Sequence, residues 1–398
     1  MAFSGLFAIG LSGVNAHAAS LEAVSQNIAN SQSTGYKRER VDFSTLITSL
    51  SPDGGIEGGG VGAASRTLFS EQGAITRTGS STDIAISGDG FFVVSESADA
   101  GAPVSFTRSG GFSAREDGLL VNEAGYFLRA APINGAAAGA SALAGLEAVD
   151  INEFPTIAAA TSALTLSGNL SANAPAGSVI AQHFRVYDAD GAPRTLTLTL
   201  TANGAGAFDA VAAFADGAQE TVASGVLAFD ANGLVDAAAS TLPLTFSANS
   251  SQTIDLNIRS LTLGPGATQF TTTNANGAPL GVLNGVEISS DGRVIAQYSN
   301  GLTRDLYQIA IANFTNPEGL EIGAASTYQL TTAAGALTLD NPQSGRAGAL
   351  EGNALEISTV EIAQEFSTLI ETQRAYAANT RVISIADELW QTLSQTAR

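Results

Sequence analysis

The side chains able to do acid–base or nucleophilic chemistry are few and scattered. Histidine occurs twice, at His17 and His183, and cysteine is absent. Disulfides, thiolate metal sites and cysteine nucleophiles are therefore excluded, and two isolated imidazoles give zinc no ligand set at useful spacing. His17 falls in a helical pattern and His183 beside Phe184 in a strand pattern, so interface or solvent positions fit both better than catalysis. Ser87-Gly88-Asp89-Gly90 is glycine-rich but lacks the Gly-Lys-Ser/Thr ending and following helix of a phosphate loop. Asp188, Asp190 and Asp230 carry calcium-type oxygens. Asp188-Ala189-Asp190-Gly191 nevertheless lacks the later bidentate Glu, and turn chemistry explains it better. A carboxylate pair for glycoside cleavage depends on tertiary distance, which sequence does not give. Nothing favours one. The single lysine, Lys37, lies in the one basic cluster, Lys37-Arg38-Glu39-Arg40, and reads as a solvated turn after a helix rather than a phosphate site. No catalytic, cofactor-binding or metal residue is expected.

Charge narrows the partners. Seventeen basic residues against 37 acidic ones leave −20 over 398 residues, which disfavours nucleic acid and anionic membrane surfaces. No stretch is long and apolar enough to cross a membrane. Met1-Ala2-Phe3-Ser4-Gly5-Leu6 lacks the basic start and long apolar run of a secretory signal. An exported chain would have to leave uncleaved by another route.

The elements that position everything else lie at the two ends. From Asn353 to Arg398 there is neither Gly nor Pro, in a chain with 43 Gly and 11 Pro. Ile362, Phe366, Leu369, Tyr376, Ile383, Ala386, Trp390 and Leu393 recur at helical spacing, interrupted by Gln373 and Thr380. At the other end Phe7, Leu11, Val14, Ala18, Leu21, Ser25 and Ile28 alternate spacings of four and three, the seam of a coiled coil. A narrow-striped helix is marginal alone in water. The two ends are therefore expected to meet, pair and pack against neighbours. An ordinary core built from terminal helices is the plainer alternative.

Between the ends the pattern is β. Asp-Gly and Asn-Gly each occur six times, supplying the positive φ of two-residue hairpin turns. Ile84-Ala85-Ile86, Ser87-Gly88-Asp89-Gly90 and Phe91-Phe92-Val93-Val94 read as strand, tight turn, strand. Thr195 to Thr201 alternates Thr with Leu, which sends the leucines inward. The expected fold is mainly β with terminal α-helices, the helices pairing as a coiled-coil-like core domain around nested antiparallel β domains. The boundaries are 1–34 and 354–398 for the core, 35–66 for a flexible linker or arm containing Pro52-Asp53-Gly54-Gly55 and Gly58-Gly59-Gly60, 67–149 and 281–353 for an inner β domain, and 150–280 for an inserted outer one. An Ala/Gly-rich passage from Gly135 to Gly145 marks the boundary before the second β region.

Several blocks resemble the family of bacterial flagellar rod and hook proteins. They are Leu11-Ser12-Gly13-Val14-Asn15-Ala16, Ser25-Gln26-Asn27-Ile28-Ala29-Asn30, Thr34-Gly35-Tyr36-Lys37-Arg38, Asp83 to Phe92, Phe106 to Phe112, and Gln373-Arg374-Ala375-Tyr376-Ala377-Ala378-Asn379. In the middle, Val186 to Gly191, Leu227 to Gly233, Tyr298-Ser299-Asn300-Gly301 and Ile309 to Leu320 look like the hook branch. The distal rod branch shares the ends but is shorter. The resemblance implies a non-enzymatic subunit that polymerises with itself into a curved tube, a universal joint carrying torque from rod to filament. It also implies passage through the flagellar export apparatus without a cleaved signal, and growth at the distal tip beneath a hook cap protein. The distal rod protein and the hook–filament junction proteins would flank it, with no cofactor, nucleic acid or membrane insertion. A distal rod subunit, a secreted β-rich adhesin or carbohydrate-binding protein, and a cell-wall hydrolase are the competing readings.

Overall fold

The computed structural model describes residues 2–50, 56–133, 143–204, 206–215, 220–236, 240, 245–247 and 252–396. Pro52-Asp53-Gly54-Gly55, most of the Gly135–Gly145 passage and the side chain of Leu393 lie outside the described residues. Two α-helices, α1 (Ala2–Ala29) and α2 (Ile362–Thr396), bracket described residues that are otherwise strand, turn and short 3-10 helix. The fold falls into two compact units. One comprises 1–153, 286–296 and 305–398; the other comprises 154–285 and 297–304.

In the first unit Phe91–Ser95 pairs antiparallel with Val104–Thr107, Phe127–Pro132 and Ile311–Phe314. Its aromatic side chains make the core, with Phe106 and Phe314 at 4.8 Å and Phe69 and Tyr328 at 4.8 Å, both edge to face. Such contacts add about 0.5–1.5 kcal/mol beyond burial. Ile84–Ser87 and Phe91–Ser95 are strands, as their composition indicates, but not partners. Ile84–Ser87 pairs with Ala349–Gly352 instead. Positive φ at both Gly88 and Gly90 redirects the chain between sheets rather than closing a hairpin.

The second unit is two sheets sharing one core. Val179–Tyr187, Pro193–Ala202, Phe208–Phe214 and Glu220–Leu227 form a four-stranded antiparallel meander. Leu196, Leu198 and Leu200 point inward from it, as the Thr/Leu alternation requires, onto Leu164, Leu166 and Leu170 of the other sheet. In that sheet Ala163–Ser171 pairs antiparallel with Gln269–Ala275 but parallel with Thr253–Asn257 and Leu261–Gly264. The parallel pairs depart from the all-antiparallel expectation. The whole meander intervenes in sequence between the paired strands, giving the long crossover that parallel pairing needs. The Asp-Gly turns behave as turns. Asp188 Oδ1 accepts from the amides of Asp190 and Ala192, and Asp230 Oδ1 from those of Asn232 and Leu234. The Leu234 amide, more than any other group, holds the Asp230 carboxyl below its usual range. Among the described residues no group of three His, Asp or Glu side chains could hold a metal ion.

Candidate self-assembly surface of the terminal helices

The two helices pack antiparallel, and their partners fix the register. Gly10 faces Ile383 and Gly13 faces Asn379. Ser20 Oγ lies 3.4 Å from Thr372 Oγ1, and Asn27 Nδ2 donates to Glu365 Oε2 at 3.1 Å. Small residues allow this approach: a Cβ added at Gly10 or Gly13 would lie 2.9 Å from the facing side chain. Buried Ala16 and Ala23 continue the same face. The contact is thus small and polar, not an interlock of large apolar side chains.

The apolar stripe of α1 lies elsewhere. Phe7 is 47% and Leu11 45% exposed, Ala18 and Ser25 are exposed, and Val14, Leu21 and Ile28 are half-buried. On α2, Ile362, Phe366 and Trp390 are exposed, Ala386 is buried, and Leu369, Tyr376 and Ile383 are half-buried. The two stripes therefore do not seal against each other within one chain. The expected helix pairing exists, but Gly10, Gly13, Ala16, Ser20 and Ala23 make it. Sequence reasoning also missed Ile370, Val382, Ile385 and Leu389, all exposed. Their helical spacings of three and four were visible, but choosing a single stripe for α2 concealed a second and a third face.

Residues 35–66, expected as a flexible arm, are largely a hairpin. β1 (Glu39–Leu50) and β2 (Ile56–Thr67) pair antiparallel and fold back along α1. The Val61 amide donates to Ser12 Oγ at 3.1 Å, and the rings of His17 and Phe43 lie 5.4 Å apart. The glycine run that reads as a hinge is a strand whose missing side chains admit the helix: a Cβ at Gly60 would collide with Ser12. Glycine inside a strand often marks such close backbone approach. Phe43 and Leu46 add exposed apolar surface on this side.

Two polar clusters tie this module to the strands. In one, the Arg38 guanidinium Nε donates to Glu365 Oε1 at 2.5 Å. Asn27 bridges the same carboxylate and the Glu39 backbone, and the Tyr36 hydroxyl donates to Asn27 Oδ1 at 3.3 Å. In the other, Lys37, Glu356 and Arg108 are all buried. Lys37 Nζ lies 2.7 Å from Glu356 Oε1, and Arg108 Nη1 donates to Glu356 Oε2 at 3.2 Å. The solvated-turn reading of Lys37 is therefore overturned. An ammonium can be buried here because Glu356 and the Glu71 carbonyl receive it. Burial, then the neighbouring Arg108 charge, still pull the Lys37 pKa below its ordinary value, against the attraction of Glu356.

Tyr36 gives this module a pH signature. Burial, then the carboxylates of Glu39 and Glu365, push its hydroxyl from 10.0 up to about 12. Between these values the folded chain keeps a proton that the unfolded chain has released. The stabilisation is complete below pH 10 and is lost as pH rises toward 12. Tyr36→Phe is expected to make the fall in melting temperature over that range shallower, with residual loss from Tyr328 and Tyr307, whose pKa values burial also raises. An unchanged slope would refute it.

α1 carries one charged side chain, Glu22, in 28 residues, although the chain as a whole is strongly acidic. A half-exposed, almost uncharged helical face is surface made to be covered. No helix among the described residues is long and apolar enough to cross a membrane.

Known proteins match in the same regions and beyond. Residues 351–396 match the family described as flagellar basal body rod FlgEFG protein C-terminal, and 85–172 the flagellar hook protein FlgE/F/G D1 domain. The flagellar hook protein FlgE of Brucella suis biovar 1 (strain 1330) is 32% identical, covering 100% of both chains. That of Rhizobium meliloti (strain 1021) is 33% identical with the same coverage. That of Salmonella typhimurium (strain LT2) is 30% identical over 97% of this chain and 98% of its own. The crystal structure of Helicobacter pylori flagellar hook protein FlgE2 shares the fold, at a TM-score of 0.50 and 12% identity over 71% of this chain and 100% of that one. With full-length relatives above 30% identity and an exposed apolar helix pair at its ends, this chain belongs to the flagellar hook protein FlgE family.

Proposed function

We propose that this hook subunit polymerises through the outward faces of α1, α2 and the β1–β2 hairpin. The carrying observation is the uncharged apolar stripe of α1, left open by a helix pair that closes on small residues instead. Phe7, Leu11, Val14, Ala18, Leu21 and Ile28 on α1, with Ile362, Phe366, Leu369, Tyr376, Ile383, Trp390 and Leu393 on α2, are the proposed assembly residues. In the polymer, segments 1–34 and 354–398 form the core layer, 67–149 with 281–353 the inner β layer, and 150–280 the outer one. The tube bends as a universal joint because its outer contacts are polar and individually weak. The subunit is exported without signal cleavage through the flagellar export apparatus and is added beneath a hook cap protein, outside the cell. It follows the distal rod protein and precedes the hook–filament junction proteins. Its role is structural, with no catalysis and no cofactor.

The distal rod reading loses ground because the full-length relatives named above are hook proteins. Cells lacking this chain should carry rods that end without hooks, and the full-length chain should restore them. Electron microscopy of purified appendages decides it. Intact hooks in the deleted cells would sink the proposal.

A further inference from the structure

On that assembly reading, the outward apolar surface of α2 is two patches and not one stripe. At about 100° per residue, Glu365, Thr372, Asn379 and Ile383, which meet α1, lie along one side of the helix. Ile362, Phe366 and Ile370 point about 120° away from that line in one sense. Each is about half exposed, at 46%, 50% and 52%. Val382, Ile385 and Leu389 are also exposed and point about 100° away in the other sense. The two patches are separated by about 30 Å along the axis, at 1.5 Å per residue. Between them the exposed positions are Glu371, Gln373, Arg374, Ala377, Ala378, Thr380 and Arg381.

One partner helix cannot cover both patches. A heptad seam drifts about 20° per seven residues, and it drifts toward the α1 face rather than from the first patch to the second. Three half-exposed large side chains offer on the order of 300 Å² per patch, taking half of the area that a large side chain can bury. A stable pair of proteins needs about 800 Å² from each partner. Either patch alone is too small to hold a dimer.

We infer that α2 bridges two further copies of this chain, one on each patch. The occupant is the outward stripe of a neighbour's α1. By the same turn of about 100° per residue, exposed Arg374 lies one turn beyond Ile370 at the end of the first patch, and exposed Arg381 and Glu388 flank Ile385 in the second, so neither patch has the acidic or basic border that would select a charged partner. The α1 stripe from Phe7 to Ile28 contains no charged side chain. At 1.5 Å per residue it is about 32 Å long, enough to seat one patch from each of two neighbours.

Two full-length variants test this, Phe366→Asp and Leu389→Asp, alone and combined. Each single variant should form no tubes at the concentration where the unmodified chain does, its critical concentration rising about tenfold or more. Mixed as a small labelled fraction with unmodified chain, each single variant should sediment with the tubes, held by its intact patch. The double variant should stay in the supernatant. Both positions are half-exposed in the single chain, so the new carboxylates are solvated and circular dichroism should be unchanged. Were helix lost, Phe366→Ser and Leu389→Ser are read in the same way. Tubes from either single variant alone would overturn the inference. So would exclusion of both from mixed tubes, which means one shared interface. Normal tubes from both variants, alongside failed assembly of Leu21→Asp, would overturn the two patches and leave the terminal module as the interface. Normal tubes from Leu21→Asp as well would overturn the assembly reading itself.

Discussion

Glu356→Ala is expected to destabilise the first unit by about 3–5 kcal/mol, the usual cost of stranding buried charge. Among the described residues Glu356 is the one carboxylate that pairs with both Lys37 and Arg108, and all three side chains are almost wholly buried. Its Oε1 also accepts from the Gly73 amide at 2.9 Å, so the substitution removes partners from three donors at once. Lys37→Met is the informative companion. It removes one of two buried cations and leaves the Arg108–Glu356 pair intact, so its cost should be far smaller. Denaturant unfolding of the full chain, followed by amide protection in the strand Ala349–Gly352, reads both. Equal effects for the two substitutions would show that Glu356 is not the hub.

Assembly is where the second large effect should appear. Leu21→Asp is expected to abolish tube formation while leaving the β units unchanged. Burying Leu21 fully against a neighbour contributes about 2 kcal/mol, and a carboxylate forced into that contact costs several more. The penalty recurs at every subunit added. In the isolated chain Leu21 is only half-buried, so the thermal melt should move little. Glu22→Gln, on the adjoining exposed position, is the control. Purified protein assembled in vitro separates this effect from any damage to export. Normal tubes from Leu21→Asp would remove α1 from the interface.

What the sequence displayed most clearly was periodic or chemical. The Thr/Leu alternation at 195–201 predicts a two-faced strand, and the structure has one. Gly-free, Pro-free residues 362–396 are one helix. Failures came where a residue's role depends on what approaches it from far along the chain. Gly58-Gly59-Gly60 looks the same in a loose loop as in a strand pressed against a helix. Only the position of Ser12 distinguishes them. Lys37 looks solvated until Glu356, 319 residues later, is placed beside it. For the helices, both the stripes and the glycines were on view. Which face each would use was decided by close approach: Gly10 and Gly13 admit the second helix, whereas Phe7 and Leu11 would hold it away.

The hydrogen bonds of the helix pair are unevenly placed. Asn27, Arg38 and Glu365 lock its base beside the hairpin and the buried Lys37 cluster. Near Gly10 the described residues of the two helices meet through an aliphatic side chain, Ile383, laid against the glycine. Mechanically this is a cantilever, clamped at the root and smooth toward the tip. A lateral load at Phe7 would be resisted at Asn27, with axial slip growing along the length between them. Amide exchange that quickens steadily from Asn27 toward Phe7 would be its signature, and uniform protection along α1 would exclude it. A bending tube lined by such springs would keep each root in register while its tips change neighbours' depth by fractions of a turn.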